Sequence, residues 1–131
     1  MILGIGCDIC DIGRIAKLID QDGERFLNRV FLKSERERLQ LRTPMAPGFA
    51  KVYAAKEALV KAFGGGHDIS WQDIEVIKNL QGRPEYVLHG AAHAMAKKLA
   101  DGDYQIHLSL SDEIPYAIAY TIFCKSIARY I

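Results

Sequence analysis

The sequence predicts an α+β fold, a single domain of mostly antiparallel sheet packed on a long central helix. Three observations lead there. The opening run ILGIGCDI is apolar and shows no helical periodicity. A stretch from about Phe49 to Phe63 is rich in alanine and keeps one apolar stripe. Near the end, QIHLSLS and YAIAYTIFC flank the turn sequence DEIP as the arms of a hairpin. A strand, then helices, then a helix set between strands is an α+β order.

With 131 residues, the chain can bury one core but not comfortably two, so residues 1–131 are expected to form one domain. No repeat, linker or low-complexity tract divides it. Half of the residues are hydrophobic and a quarter charged, the balance of a globular protein. The net charge of +1 excludes a broad electrostatic footprint for nucleic acid, so charge must act locally. Nothing approaches the roughly 20 apolar residues of a membrane span. MILGIGCDIC lacks a basic leader and a cleavage site and contains Asp8. Together with three cysteines, an odd number, this predicts reduced thiols and a cytoplasmic setting.

In the first strand, Leu3, Ile5, Cys7 and Ile9 share one face, and Ile2, Gly4, Gly6 and Asp8 the other. The strand reads as buried. Its two glycines mark a bulge, or the close approach of a ligand or another backbone. Cys7 and Cys10 diverge on a strand, so CDIC reads as plain buried thiols and not as a metal or redox motif. DIGRIAKLID predicts a short amphipathic helix with Ile12, Ile15 and Ile19 inward and Arg14 and Lys17 outward. SERERLQLR predicts a second helix, with Ser34 as cap and Glu37 at the capping-box position. TPMAPG breaks the chain before the long helix. A glycine-rich loop, a strand at DIEVI, a turn at NLQGRP, a strand at EYVLHG and the helix AAHAMAKKLA precede the final hairpin.

The chemistry gathers on the long helix. Phe49, Val52, Leu59, Val60 and Phe63 form its apolar stripe. Tyr53, Glu57 and Lys61 recur every four residues beside it, in a line that ends at Gly64. Lys56 falls inside the stripe, where the bland expectation is that it snorkels outward. The glycine run beyond Phe63, beside one Glu and two Lys, suits a phosphate site built on backbone amides. It is not a Walker loop, because no Gly-Lys-Ser/Thr follows. A diphosphate needs a divalent cation, and Mg²⁺ takes one or two carboxylates with phosphate oxygens and water. Glu57 supplies one carboxylate and Asp8 the natural second. His89 and His93 have metal-pair spacing, but Gly90 interrupts them and no acidic third ligand follows, so they read as ordinary histidines.

Three segments, GIGCDICDIGRI, YAAKEALVKAFGGG and IHLSLSDEIPYAIAYTI, with GRP at Gly82 to Pro84, resemble the ordered signature of bacterial holo-[acyl-carrier-protein] synthases. These belong to the 4′-phosphopantetheinyl transferases, and the likeness spans nearly the whole chain. The resemblance implies that family's fold and the transfer of phosphopantetheine from coenzyme A to a serine of apo-acyl carrier protein, serving fatty acid biosynthesis. It implies a homotrimer with sites between subunits, and Mg²⁺ on Asp8 and Glu57. Asp8, Glu57 and Lys61 become the expected catalytic set. Lys56, Lys61, Tyr53, Gly64, Gly65, Pro84 and His107 become the expected coenzyme A contacts. Ser111-Asp112 stands where many members have Ser-His, so no catalytic histidine is carried there.

Acyl carrier proteins are acidic, and Arg14, Arg25 and Arg29 are the expected docking set, having the fewest acidic neighbours on the predicted helices. Two other readings remain. One is a non-catalytic module that binds coenzyme A or a carrier; the other is a small Mg²⁺-dependent hydrolase of pyrophosphate or nucleotides. Two metal carboxylates are superfluous in a mere binder, and no water-positioning group is evident for a hydrolase.

Overall fold

The structure, a computed structural model, describes residues 1–65 and 68–127. Gly66 and His67 of the predicted glycine-rich loop lie outside them. Strand β1 (Ile2–Asp11) leads into helix α1 (Ile12–Val30), then α2 (Lys33–Leu39) and α3 (Ala46–Ala62). A 3₁₀ turn, Trp71–Asp73, precedes β2 (Ile74–Lys78) and β3 (Pro84–Leu88). Helix α4 (Gly90–Ala100), β4 (Tyr104–Glu113) and β5 (Tyr116–Lys125) complete the order. The strands form a three-stranded antiparallel sheet, β1-β5-β4, and a separate β2-β3 hairpin. The α+β expectation therefore holds, with two small sheets.

Helix α3 is the axis of the core. Phe49, Ala50, Val52, Ala54, Ala55, Ala58 and Leu59 are all buried, against the sheet on one side and α1 on another. Opposite them, β5 presents Ala117, Ala119, Thr121 and Phe123. These small residues let helix and sheet approach closely. On β1 the approach becomes backbone to backbone: a Cβ on Gly4 would lie 2.0 Å from the Ala62 carbonyl oxygen, and one on Gly6 only 1.8 Å from that of Ala58. The bare face of β1 is thus filled by α3 of the same chain. Of the sequence alternatives, the close approach of another backbone is the one the structure shows.

The other face of β1 corrects an expectation. Leu3, Ile5, Cys7 and Ile9 are exposed, Ile5 at 62 % and Ile9 at 60 %, and Tyr116 and Tyr120 of β5 extend the same apolar surface. The strand is buried on one side only, and of its two early thiols only Cys10 is buried.

Three element boundaries differ from the sequence pattern for local reasons. Helix α1 continues past Asp20 through a kink at Gly23 (φ 37°, ψ −115°), a conformation open to glycine, so that Phe26, Leu27 and Val30 reach the core. Asp11 is its cap, accepting from the amides of Gly13 and Arg14. Helix α3 starts at Ala46 and takes Pro47 into its first turn, where a missing N–H breaks no bond. Helix α2 starts at Lys33, so the side chain that reaches back to the chain at its start is Glu35, which accepts from Leu32 N at 2.8 Å. Ser34 turns instead to the Glu75 carboxylate, 2.8 Å away, and Glu37 pairs loosely with Lys33.

Gly6→Ala forces a methyl group into the Ala58 carbonyl and is expected to lower unfolding free energy by about 2 kcal/mol or more, since overpacking against backbone cannot relax into a rotamer change. Urea unfolding followed by circular dichroism measures this; an unshifted midpoint would place α3 off the strand.

Candidate functional site

The close approach of β1 and α3 decides where Asp8 sits. Asp8 shares the face of Gly4 and Gly6, so its carboxylate projects along the seam with α3 and not into solvent. There the Lys61 ammonium donates to Asp8 Oδ1 at 3.1 Å and to the Cys7 carbonyl at 2.9 Å. Lys61 thus ties the helix to the strand through one charged and one backbone acceptor. Asp8 is largely shielded while Lys61 remains half exposed, which leaves the ammonium room to meet an anion.

Glu57 stands one turn before Lys61 and borders a cleft of about 210 Å³ with Val60, Ile69, Trp71 and Ile74. Tyr53 completes the line. Its ring stacks on Trp71 (centroids 5.5 Å apart, 27° between planes), and the Arg14 guanidinium lies 5.6 Å above it. Burial, and next the Glu57 charge, push the Tyr53 phenol above its ordinary pKa, so it stays a neutral donor near that carboxylate. Gly64 and Lys61 line a neighbouring cleft of about 320 Å³ with Gly4, Ile5 and Leu99. Gly64 and Gly65 both have positive φ, 91° and 73°, and so end α3 without side chains in the way.

Lys56 departs from expectation. It neither snorkels nor reaches a phosphate: its side chain and that of Glu35 are both 0 % exposed. Its three ammonium protons go to the Val30 carbonyl at 2.7 Å, Glu35 Oε1 at 2.8 Å and the Trp71 carbonyl at 3.1 Å. Glu35 Oε2 accepts from Val76 N at 2.8 Å. Burial lowers the Lys56 pKa and the Glu35 charge opposes the shift. This saturated pair joins α1, α2, α3, the Trp71 turn and β2, all behind the Glu57 cleft. The sequence reading missed Glu35, because Leu32 at the helix cap hides the capping-box pattern.

Pro84 and His107 come together elsewhere. They line a cleft of about 440 Å³ with Asn79, Arg83 and Gln105, and it shares no residue with the clefts of Glu57 and Lys61. The expected coenzyme A contacts therefore fall into two groups within one chain.

Of the arginines expected to dock the carrier, Arg14 is on the first limb of α1, while Arg25 and Arg29 follow the kink. Arg25 is not free of acidic neighbours, since Asp22 lies 3.9 Å away. His89 pairs with Glu75 at 2.9 Å and His93 with the Tyr104 hydroxyl at 2.7 Å, so neither forms a metal pair. Among the described residues no cluster of three His, Cys, Asp or Glu side chains could hold a metal. Two carboxylates such as Asp8 and Glu57 would suit a hard ion such as Mg²⁺, which draws its other ligands from water and substrate, and not a caged zinc. No helix is long and apolar enough to cross a membrane among the described residues.

Comparison with known proteins shows the family and the fold. Residues 4–119 match the model of the 4′-phosphopantetheinyl transferase superfamily. The chain is 46 % identical over 126 residues to the holo-[acyl-carrier-protein] synthase of Xanthobacter autotrophicus, covering 93 % of both. Its fold is similar to the crystal structure of the holo-ACP synthase of Plasmodium yoelii, with a TM-score of 0.83 and 30 % identity over 97 % of this chain and 98 % of that one. It is also similar to the Bacillus anthracis enzyme solved in complex with coenzyme A (3′,5′-ADP), with a TM-score of 0.78 and 30 % identity over 96 % and 99 %.

Lys56→Met strands a buried carboxylate and is expected to cost about 3–5 kcal/mol. Adding Glu35→Leu removes that charge and should recover part of the loss. Chemical unfolding of both variants checks the order; a double variant no more stable than Lys56→Met would contradict the pairing.

Proposed function

The chain belongs to the 4′-phosphopantetheinyl transferase superfamily, and from that premise we propose that it is a holo-[acyl-carrier-protein] synthase. It transfers the 4′-phosphopantetheine group of coenzyme A to a serine hydroxyl of apo-acyl carrier protein and releases adenosine 3′,5′-bisphosphate. The observation that carries this reading is that the family match spans Asp8, Glu57 and Lys61, with Lys61 and Asp8 in contact across the β1–α3 seam.

Phosphoryl transfer asks a protein mainly for positioning and for neutralisation of charge on the transferring group. The serine oxygen attacks the phosphorus that bears the pantetheine, and the P–O bond to the adenosine bisphosphate breaks. Lys61, a half-exposed point charge, meets the diphosphate oxygens. The backbone of Gly64 and Gly65 brings amides close without side-chain hindrance. Glu57 takes the serine proton, directly or through water. Asp8 and Glu57 would hold Mg²⁺, which supplies charge neutralisation at the diphosphate. Lys56 acts only through the frame behind the Glu57 cleft.

Two features support an assembly of subunits, which the family resemblance makes a homotrimer. The apolar outer sheet face, with Leu3, Ile5, Ile9, Tyr116 and Tyr120, is the kind of patch that marks a protein interface. Division of the coenzyme A contacts between two clefts fits a site assembled from adjacent protomers, Pro84 and His107 coming from one and Lys61 from the next. Arg14, held over Tyr53, joins the carrier surface to the catalytic line. In the cytoplasm, such an enzyme supplies holo-carrier for fatty acid biosynthesis.

Incubation with coenzyme A, Mg²⁺ and apo-carrier should add one phosphopantetheine to the carrier mass. Glu57→Gln, with an unchanged circular dichroism spectrum, should slow that gain by roughly a hundredfold or more; near-native turnover would remove Glu57 from both its roles. Sedimentation should give three copies of the native chain, and Ile5→Lys on the sheet face should give one copy with little activity. A native monomer with full activity would exclude the shared site.

A further inference from the structure

A carboxylate that takes a proton from a set direction needs a fixed orientation, and a glutamate on a helix has several rotamers to choose from. Helix α3 offers Glu57 two neighbours on its own face, each four residues away. Lys61 is turned away, its ammonium committed to Asp8 Oδ1 at 3.1 Å and the Cys7 carbonyl at 2.9 Å. No ion pair holds Glu57 among the described residues. The other neighbour is Tyr53.

The Tyr53 ring is braced by three residues. Trp71 stacks on it with centroids 5.5 Å apart, the buried Phe26 tilts against it at 6.5 Å, and the Arg14 guanidinium lies 5.6 Å from its centroid. Residues of α1 and of the Trp71 turn thus lock a ring carried by α3. A ring held this way delivers its hydroxyl to one place. Trp71 also lines the Glu57 cleft, so the brace of the ring and the carboxylate border the same hollow. Phenylalanine would stack on Trp71 and Phe26 as well as tyrosine does, so packing alone does not call for the oxygen. A half-buried hydroxyl loses water and has to find an acceptor. The Glu57 carboxylate is within its reach: after burial, the charge of Glu57 is the largest influence that keeps the phenol protonated, Arg14 opposes it, and side-chain contact with Glu57 adds to it.

We propose that Tyr53 is a positioning residue, whose hydroxyl donates to the Glu57 carboxylate and holds it in the orientation that receives the serine proton. The inference deepens the transferase reading and rests on it for the role of Glu57, while the contact between the two side chains stands apart from it. Tyr53 itself exchanges no proton with the substrate. Its part is to remove the rotamer freedom of the residue that does, through a hydrogen bond from a neutral donor to a charged acceptor.

The test compares the full-length native chain with Tyr53→Phe, which keeps the ring and removes only the oxygen, with Glu57→Ala and with the double variant. In the carrier-mass assay, Tyr53→Phe should lower kcat about tenfold and leave KM for coenzyme A and for the carrier unchanged. In the Glu57→Ala background the same change should cost nothing further, because its effect passes through that carboxylate. A merely structural tyrosine would not separate kcat from KM in this way. Urea unfolding of the four proteins without substrate should give midpoint shifts that do not add. Native kcat in Tyr53→Phe, an effect confined to either KM, or an equal loss of turnover in the Glu57→Ala background overturns the positioning role. A native chain that transfers nothing refutes the transferase reading, and the unfolding cycle then still decides the contact, which additive shifts overturn.

Discussion

The whole arrangement depends on one steric fact: two residues of the first strand have no side chains, and the central helix occupies the space they leave. Gly4 and Gly6 bring β1 against the carbonyls of Ala62 and Ala58, nearer than any Cβ would permit. At that separation a carboxylate two residues further along the strand meets a lysine from the next turn of the helix. Strand and helix thus position the Asp8–Lys61 pair through rigid backbone, and no loop intervenes. Sites on regular elements hold their geometry better than sites on loops.

The second constraint lies behind the first. Lys56 and Glu35 are fully buried, yet every ammonium proton and both carboxylate oxygens have partners. A buried ion pair adds little net stability against an apolar pair of the same volume, but breaking it is severe. Its consequence here is registration. Five segments that otherwise touch through interchangeable apolar contacts meet at one polar knot with one geometry. Glu57, the residue after Lys56, inherits that registration, as does Trp71, whose carbonyl the knot binds and whose ring braces Tyr53.

Much of this was legible in the residue pattern. Period-two alternation and the DEIP turn located the final hairpin, and the stripe of Phe49, Val52, Leu59 and Phe63 located the central helix. The four-residue recurrence of Tyr53, Glu57 and Lys61 marked the line proposed to carry the chemistry. The pattern misled where two environments share one signature. An apolar strand face reads the same whether a core or another protein covers it, so Leu3, Ile5 and Ile9 looked interior although they are exposed in the chain. A lysine in an apolar stripe can snorkel or find a buried acid, and nothing local to Lys56 announces Glu35, 21 residues away. Kinked α1 illustrates a further limit: the helix read from the sequence ends at Asp20, while the observed one resumes beyond the kink at Gly23.

By itself, the sequence determined the fold class, the order of the elements and the candidates for chemistry, because side-chain period and turn residues act over a few neighbours. Tertiary structure alone decided which lysine stays half exposed and which is locked away. It also decided what fills the glycine face, and that the residues expected to contact coenzyme A divide between separate clefts. Those outcomes are set by contacts between segments tens of residues apart, where burial and partner geometry, not local propensity, fix the state of a charge.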